Sequence, residues 1–533
     1  MSGIGPAGSW PCWPPRRRLA QRLISVRTPG DREHGLAARV LAIGLDGAPP
    51  ELVFRWAREG ILPNISGLMA KGAYGPLRST IPPMTCPAWT SSVTGVDIHK
   101  HGLYDFFLSA DLSKKRLVLA DARKRKVRAL WSLLNEEGKK TVVINLPATY
   151  PPERVDGAMV TGMLTPSARS RFTYPPGLRE ELLDMGYMID IGETMLEKVM
   201  LFKRSPEAYL REVVNMVVKR TEAALYLMRE FEWDFFLAVF VALDRVNHLF
   251  WRHMDPGHEA HDAPTARLVM PWVMRCYRAV DEAVGKLVEE AGRGTNVLIY
   301  SDHGFKALNY FVFFNNLLRR EGLLAVKGLG PRPLLTHDLL VRLSRWLPLP
   351  HLTELISAPL KRAIGHVMRG SKDTLSFFDI DPDATMAYQL GQFIHINREA
   401  VGGPEEEEQL IDRIMRAIRR AYRITRVRAY TREELFGEGA RVPAIVLLSE
   451  GTASPNHIPT VGGELMRKYD EKAEAPTLMW CGDHDLYGTL IMAGPDIGRA
   501  GYMRGARIVD VAPTVLKLFG IDIPSHMDGR PLI

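Results

Sequence analysis

The run Val40–Gly47, VLAIGLDG, holds six apolar or small residues without polar alternation and closes on an acid and a glycine. A strand with one face in water alternates, whereas a strand covered on both faces does not. The run therefore predicts a parallel strand inside a sheet, with Asp46 at its carboxyl end and Gly47 in the following loop. The same design recurs in TVVINL (141–146), in FFLAVFVAL (235–243) ending at Asp244, and in NVLIYS (296–301) ending at Asp302-His303-Gly304. Helical stretches lie between, near Glu51–Glu59, Ile65–Lys71, Val127–Glu137, Pro206–Phe231 and 270–291, with a further strand at about 74–79. This alternation implies an α/β fold, a mostly parallel sheet sandwiched by helices. Open sheets of that kind carry their sites beyond the carboxyl ends of the strands.

Residues 305–480 break the rhythm and read as an inserted cap region. They include a helical stretch from Pro404 to about Ala421 and the amphipathic basic stretch LLVRLSRWLPLPHL (339–352), a lid packed on the core or a membrane-surface helix. The core resumes with GTLIMAGPDI (488–497) and a last helix near Val509–Phe519. The expected plan is a disordered basic tail (1–38), a first part of the core (39–304), the cap (305–480) and a C-terminal part of the core (481–533).

The 533-residue chain is 46% hydrophobic and 24% charged, the balance of a globular protein. Its net charge of +8 suggests a polyanionic partner only until it is located: the first forty residues hold seven arginines against Asp31 and Glu33. Most of the excess belongs to the Pro/Gly/Arg-rich tail, and no nucleic-acid module accompanies it. Cys12, Cys86, Cys276 and Cys481 lack the spacing of a disulfide framework or a cysteine-based zinc site. No apolar segment follows the N-terminal arginines, and no run is long enough for a bilayer span, so a cytoplasmic location is expected.

A second stretch, IPPMTCPAWTSSVTG (81–95), places Thr85 and Cys86 before a helix that Pro87 starts and Gly95 stops. Both residues would sit at the positive end of that helix, where anions are attracted. Thr85 is either part of a capped helix or a nucleophile, and a nucleophile needs something to lower its pKa. Elsewhere Asp46, Asp244-x-x-x-His248, Asp302-His303 and His484 in CGDHDLYG supply three carboxylates and three imidazoles at strand ends. Zn²⁺ and similar divalent metals accept such ligands. The set is too large for one four-coordinate ion with an open position and suits two, which would also acidify the Thr85 hydroxyl. Cys86 reads as a packing residue.

These motifs, with LPNISGLMAKGA, HKHGLYDF, ALDRVNHLFW, YSDHGF, IDPDATMAYQLGQFIHIN and VDVAPTVLKLFGIDIPSHMDGRPL, resemble the alkaline phosphatase superfamily. The closest resemblance is to its type I phosphodiesterase/nucleotide pyrophosphatase branch, over roughly residues 40–533. The resemblance implies a hydrolase with two divalent metals, Zn²⁺ or Mn²⁺. One would be held by Asp46, Thr85, Asp302 and His303, the other by Asp244, His248 and His484. It further implies a phospho-threonine intermediate on Thr85 and a small phosphodiester or nucleotide substrate. Animal enzymes of the branch carry an asparagine about twenty residues after the nucleophile, where this chain has Phe106. Phe106 and Lys100 are the candidate substrate contacts. CPAWT at Cys86 lacks the sulfatase arrangement.

The alternatives are a phosphomonoesterase or phosphotransferase on the same fold, or a protein that binds metal or a phospho-ligand without turnover. Of the remaining histidines, His253, His258 and His261 read as an exposed polar loop. His99 and His101 read equally as loop structure or substrate contacts, and His457 is a spare ligand candidate. Tyr310, Phe311, Phe313 and Phe314 are a substrate wall or plain core.

Overall fold

Val40 through Leu45 are buried, as a strand covered on both faces must be. The strand Arg39–Leu45 lies parallel between Phe235–Phe240 and Thr295–Tyr300, with Ala42 opposite Leu237 on one side and Leu298 on the other. Thr141–Leu146 and Gly157–Thr161 extend the parallel run beyond Phe235–Phe240. On the far side, Tyr487–Ala493 enters antiparallel and pairs in turn with Ala73–Arg78. The ten-stranded central sheet is thus mixed, parallel in its middle. The reversal at 487 could not be read from a buried apolar run, which looks the same in either direction. The computed structural model describes residues 39–327 and 377–533 except 115, 193, 194, 474, 475, 499 and 500. The 1–38 tail and the 339–352 stretch lie outside the described residues.

Helices cover both faces of the sheet. The long pair Pro206–Glu230 and Ala263–Ala291 presents Val213, Val217, Tyr277, Val280 and Val284 to the core. One expected boundary is corrected. The strand ends at Phe240, and Asp244 lies in the first turn of the helix Ala242–Met254 rather than at a strand end. The run FFLAVFVAL is buried throughout, so periodicity cannot separate its strand from the first turn of its helix.

Between the two parts of the main sheet, a four-stranded antiparallel sheet (387–390, 393–396, 445–449, 427–431) packs with the helix Pro404–Thr425. It encloses an apolar cluster of its own, including Leu390, Ile394, Ile414, Ile418 and Ile445. Gly304–Ala307 pairs antiparallel with Gly482–Asp485, which brings the residues after the DHG motif against those around His484. A Cβ at Gly304 would fall 2.1 Å from the Tyr487 carbonyl, so this close approach requires glycine. Among the described residues no helix is long and apolar enough to cross a membrane.

Candidate metal centre

Asp46 and Asp302 leave neighbouring parallel strands, and both are fully buried. Gly47 links them: at φ +68° it turns its N–H onto Asp302 Oδ1 at 3.1 Å, and a Cβ there would meet the Phe305 ring. His303 follows, its Nε2 3.1 Å from Asp302 Oδ2 and 3.6 Å from Asp46 Oδ1. Asp244 and His248, one helical turn apart, bring Oδ1 and Nε2 to 3.2 Å. His484 closes the group, its Nε2 3.4 Å from Asp244 Oδ1 and 3.2 Å from His248 Nε2. Two sets of side chains thus offer clustered ligand atoms, Asp244/His248/His484 and Asp46/Asp244/His303, with Asp244 in both.

Thr85 stands in the first turn of the helix Thr85–Thr94, which begins two residues before Pro87 and stops at Gly95 in the left-handed conformation. Its Oγ1 is 3.3 Å from His303 Nε2. The hydroxyl therefore faces the imidazole and carboxylate set, with the helix N-terminus behind it.

The hydrogen bonds of the three rings fix their chemistry. Each Nδ1 reaches a backbone carbonyl: His248 to Gly482 at 2.9 Å, His303 to Gly304 at 3.1 Å, His484 to Pro83 at 3.0 Å. A carbonyl accepts only, so each Nδ1 donates, and a neutral ring turns the lone pair of Nε2 toward the cluster. Asp46 Oδ1, Asp244 Oδ1 and Asp302 Oδ2 are buried acceptors that receive no hydrogen bond. Acceptors thus face acceptors at hydrogen-bond distance. That arrangement is repulsive unless a proton or a cation sits between them.

The titration of the carboxylates records the same conflict. Burial, then the charge of Asp244, pushes Asp46 up to about 8. Burial and Asp46 raise Asp302 well above the carboxylate range. Asp244 moves the other way: burial opposes its charge, but His248, His484 and Arg245 hold it well below. Burial, then His484, lowers His303. His484 is raised against its own burial, by Asp244 first. Three buried carboxylates and inward-facing imidazole nitrogens fit divalent cations by charge and by ligand type.

The other expected residues divide. Cys86 is fully buried, and burial raises its thiol well above the ordinary value, as suits packing. Phe106 is half-buried in a small apolar cluster that includes Cys86, Leu103 and Leu108. Lys100 is not brought to the cluster; it pairs with Asp528 and donates to the His526 carbonyl at 3.1 Å. His101 is fully buried, 3.0 Å from Ser91 Oγ, so it serves loop structure. His253 and His258 are buried rather than exposed: His253 lies in the last turn of the helix Ala242–Met254, and the polar loop after it folds inward, so that His258 Nε2 bonds the Leu308 carbonyl at 3.1 Å. His457 is packed between Phe107 and Phe377, apart from the ligand sets. Phe311, Phe313 and Phe314 are core residues.

Several supporting residues escaped the sequence reading. Trp89 Nε1 donates to Asp46 Oδ2 at 3.3 Å, and Trp480 stacks on His248 at 4.0 Å between centroids. Asn247 donates to the Gly47 carbonyl at 2.8 Å, tying the Asp46 turn to the helix that carries Asp244. Position in DRVNH hints at Asn247; nothing in sequence marks Trp89 or Trp480.

The sequence model of the type I phosphodiesterase / nucleotide pyrophosphatase family matches residues 40–454. Among solved structures, phosphonoacetate hydrolase from Sinorhizobium meliloti 1021, in complex with phosphonoformate, is similar with a TM-score of 0.55 at 15% identity, covering 91% of this chain and 95% of that one. An inactive threonine-to-alanine variant of murine ectonucleotide pyrophosphatase / phosphodiesterase 5, in complex with AMP, gives 0.50 at 12% identity over 92% and 96%. A 2,3-bisphosphoglycerate-independent phosphoglycerate mutase of Rhodopirellula baltica is 43% identical over 44 residues, so the match spans 8% of that enzyme and 8% of this chain. The chain belongs to the type I phosphodiesterase / nucleotide pyrophosphatase family and is a phosphoric ester hydrolase.

Proposed function

We propose that the enzyme is a dinuclear metal-dependent phosphodiesterase whose nucleophile is Thr85. The observation that carries this reading is the Thr85 hydroxyl, 3.3 Å from His303 Nε2 at the head of its helix and beside two ligand sets that meet at Asp244. Asp46, Asp302 and His303 would hold one divalent ion together with Thr85, and Asp244, His248 and His484 the other. Such ions, Zn²⁺ or Mn²⁺, supply the charge that acidifies a hydroxyl and stabilises entering and leaving oxygens.

The chain's own residues do the rest. Trp89 and Gly47 fix the carboxylates of Asp46 and Asp302, and the three backbone carbonyls hold each ring with Nε2 inward. The helix N-terminus favours the phosphate's negative charge beside Thr85. Thr85 Oγ attacks phosphorus, its proton passes to solvent, and the bond to one alcohol breaks. The phosphoryl group, still carrying its second alcohol, rests on Thr85. Water then cleaves the Oγ–P bond and regenerates the hydroxyl.

A diester suits the chemistry around Thr85. The segment 81–94 has no basic residue, so nothing on it clamps the second anionic oxygen of a monoester. Phe106, beside Cys86, offers an apolar wall for an organic arm. The AMP complex of the murine relative supports a nucleotide as that arm, and its inactive threonine variant supports Thr85 as nucleophile. A monoesterase or phosphotransferase is the second reading, favoured by the local match to the mutase.

The test is Thr85→Ala. Hydrolysis of bis(p-nitrophenyl) phosphate should fall at least about 100-fold with metal content and melting temperature retained. Thr85→Ser should keep measurable turnover. An alanine variant of near wild-type rate removes Thr85 from the role.

A further inference from the structure

Arg245 follows Asp244 directly, yet neighbours in a helix point to different faces. Its side chain folds back all the same. Nη1 donates to Asp244 Oδ2 at 2.5 Å, the oxygen turned away from His248 and His484. The other edge of the guanidinium grips Asp190 with two bonds, Nε to Oδ1 at 3.1 Å and Nη2 to Oδ2 at 2.7 Å. Lys198 Nζ donates to the same Asp190 Oδ2 at 2.6 Å. None of the four side chains is more than 14% exposed.

We propose that Arg245, anchored by Asp190 and Lys198, is the positioning residue that makes Asp244 present a single oxygen to its metal. The proposal rests on the two-metal reading given above. A carboxylate with both oxygens free can rotate or chelate with both. Here the arginine fork occupies Oδ2, so Oδ1 alone points at the two imidazole nitrogens. Placing a cation near a metal site would by itself weaken metal binding. Asp190 offsets one of the two positive charges of Arg245 and Lys198 and so reduces that penalty, while the arginine fork fixes which oxygen of Asp244 faces the imidazoles. Asp46 and Asp302 also have one oxygen occupied, but by neutral donors, Trp89 Nε1 on Asp46 Oδ2 and the Gly47 N–H on Asp302 Oδ1, rather than by a guanidinium.

The experiment titrates metal-free wild type, Arg245→Gln, Arg245→Lys and Asp190→Asn with Zn²⁺ by competition calorimetry, with melting temperatures alongside. Wild type should take up two ions. Arg245→Gln should weaken one of the two by about 10- to 100-fold, the loss typical of removing a hydrogen-bond partner of a metal ligand, and leave the other unchanged. Arg245→Lys keeps the charge but cannot bridge both carboxylates, so it should show a smaller loss at the same site and reads the effect should the glutamine variant fail to fold. Asp190→Asn should also weaken that site, since it loosens the guanidinium and leaves its charge uncancelled. Unchanged or tighter binding in these variants overturns the proposal. So does equal weakening of both ions in step with melting temperature, the mark of a merely structural salt bridge. Uptake of fewer than two ions by wild type counts against the two-metal reading itself.

Discussion

The two halves of the centre solve one electrostatic problem in opposite ways. Asp46, Asp302 and His303 sit at the ends of adjacent parallel strands, fully buried, and among the described residues their carboxylates make no ion pair with a lysine or arginine. Asp244, His248 and His484 come from a helix and from a strand more than two hundred residues later, and Arg245 already balances their carboxylate. The first half is short of positive charge; the second is balanced in part by Arg245 and joins segments far apart in the chain. Both halves keep carboxylate oxygens that receive no hydrogen bond, but the deficit of positive charge is greater in the first, where a bound cation relieves more.

Removing ligands sharpens this comparison most. Asp302→Ala and His484→Ala should each lower metal content from about two ions per chain toward one and cost turnover at least about 100-fold. Elemental analysis of the purified variants checks the first figure, and diester hydrolysis the second. Full occupancy in both would break the partition into halves.

The next effect is a difference of sign. In metal-free protein Asp302→Asn should stabilise the fold by about 1–3 kcal/mol, because it removes a carboxylate buried beside others while its Oδ1 still accepts from Gly47. Asp244→Asn should destabilise by about 2 kcal/mol, because it removes the negative charge paired with the buried Arg245. Urea unfolding of both variants measures this, and equal signs would contradict the account of the two halves.

Smaller effects concern the walls. The wild type should favour a bis-aryl diester over the matching monoester by at least about tenfold in kcat/KM, and Phe106→Ala should narrow that gap, since a well-buried aromatic contact contributes roughly 1–3 kcal/mol. A wild type that prefers the monoester promotes the second reading. Least affected should be Cys86→Ala. Its thiol packs against Leu103, Leu108 and Ala148, so turnover should stay within about threefold while stability drops by about 1 kcal/mol.

What was legible in sequence follows the same division. Strands buried on both faces announce themselves as unbroken apolar runs, so Asp46 and Asp302 were found at the ends of such runs. Asp244 closes an apolar run in the same way, yet it lies on a different element from the one expected, since the strand passes into a buried helix within that run. The direction of Tyr487–Ala493 had no sequence signal at all. His258 looked exposed because its neighbours are polar, although it caps the Leu308 carbonyl from inside. The supports of the centre were the least legible. Trp89, Arg245 and Asp190 act through contacts between distant segments, and no local pattern encodes those.

The central claim, displacement at phosphorus by Thr85 followed by water, is tested most directly by the stereochemical course of the reaction. A phosphorothioate diester of one configuration is hydrolysed in ¹⁸O-labelled water, and the configuration of the labelled product is determined. Two successive in-line displacements, the first by Thr85, give overall retention, which is the expected result. Inversion would mean a single attack by water and would contradict the account.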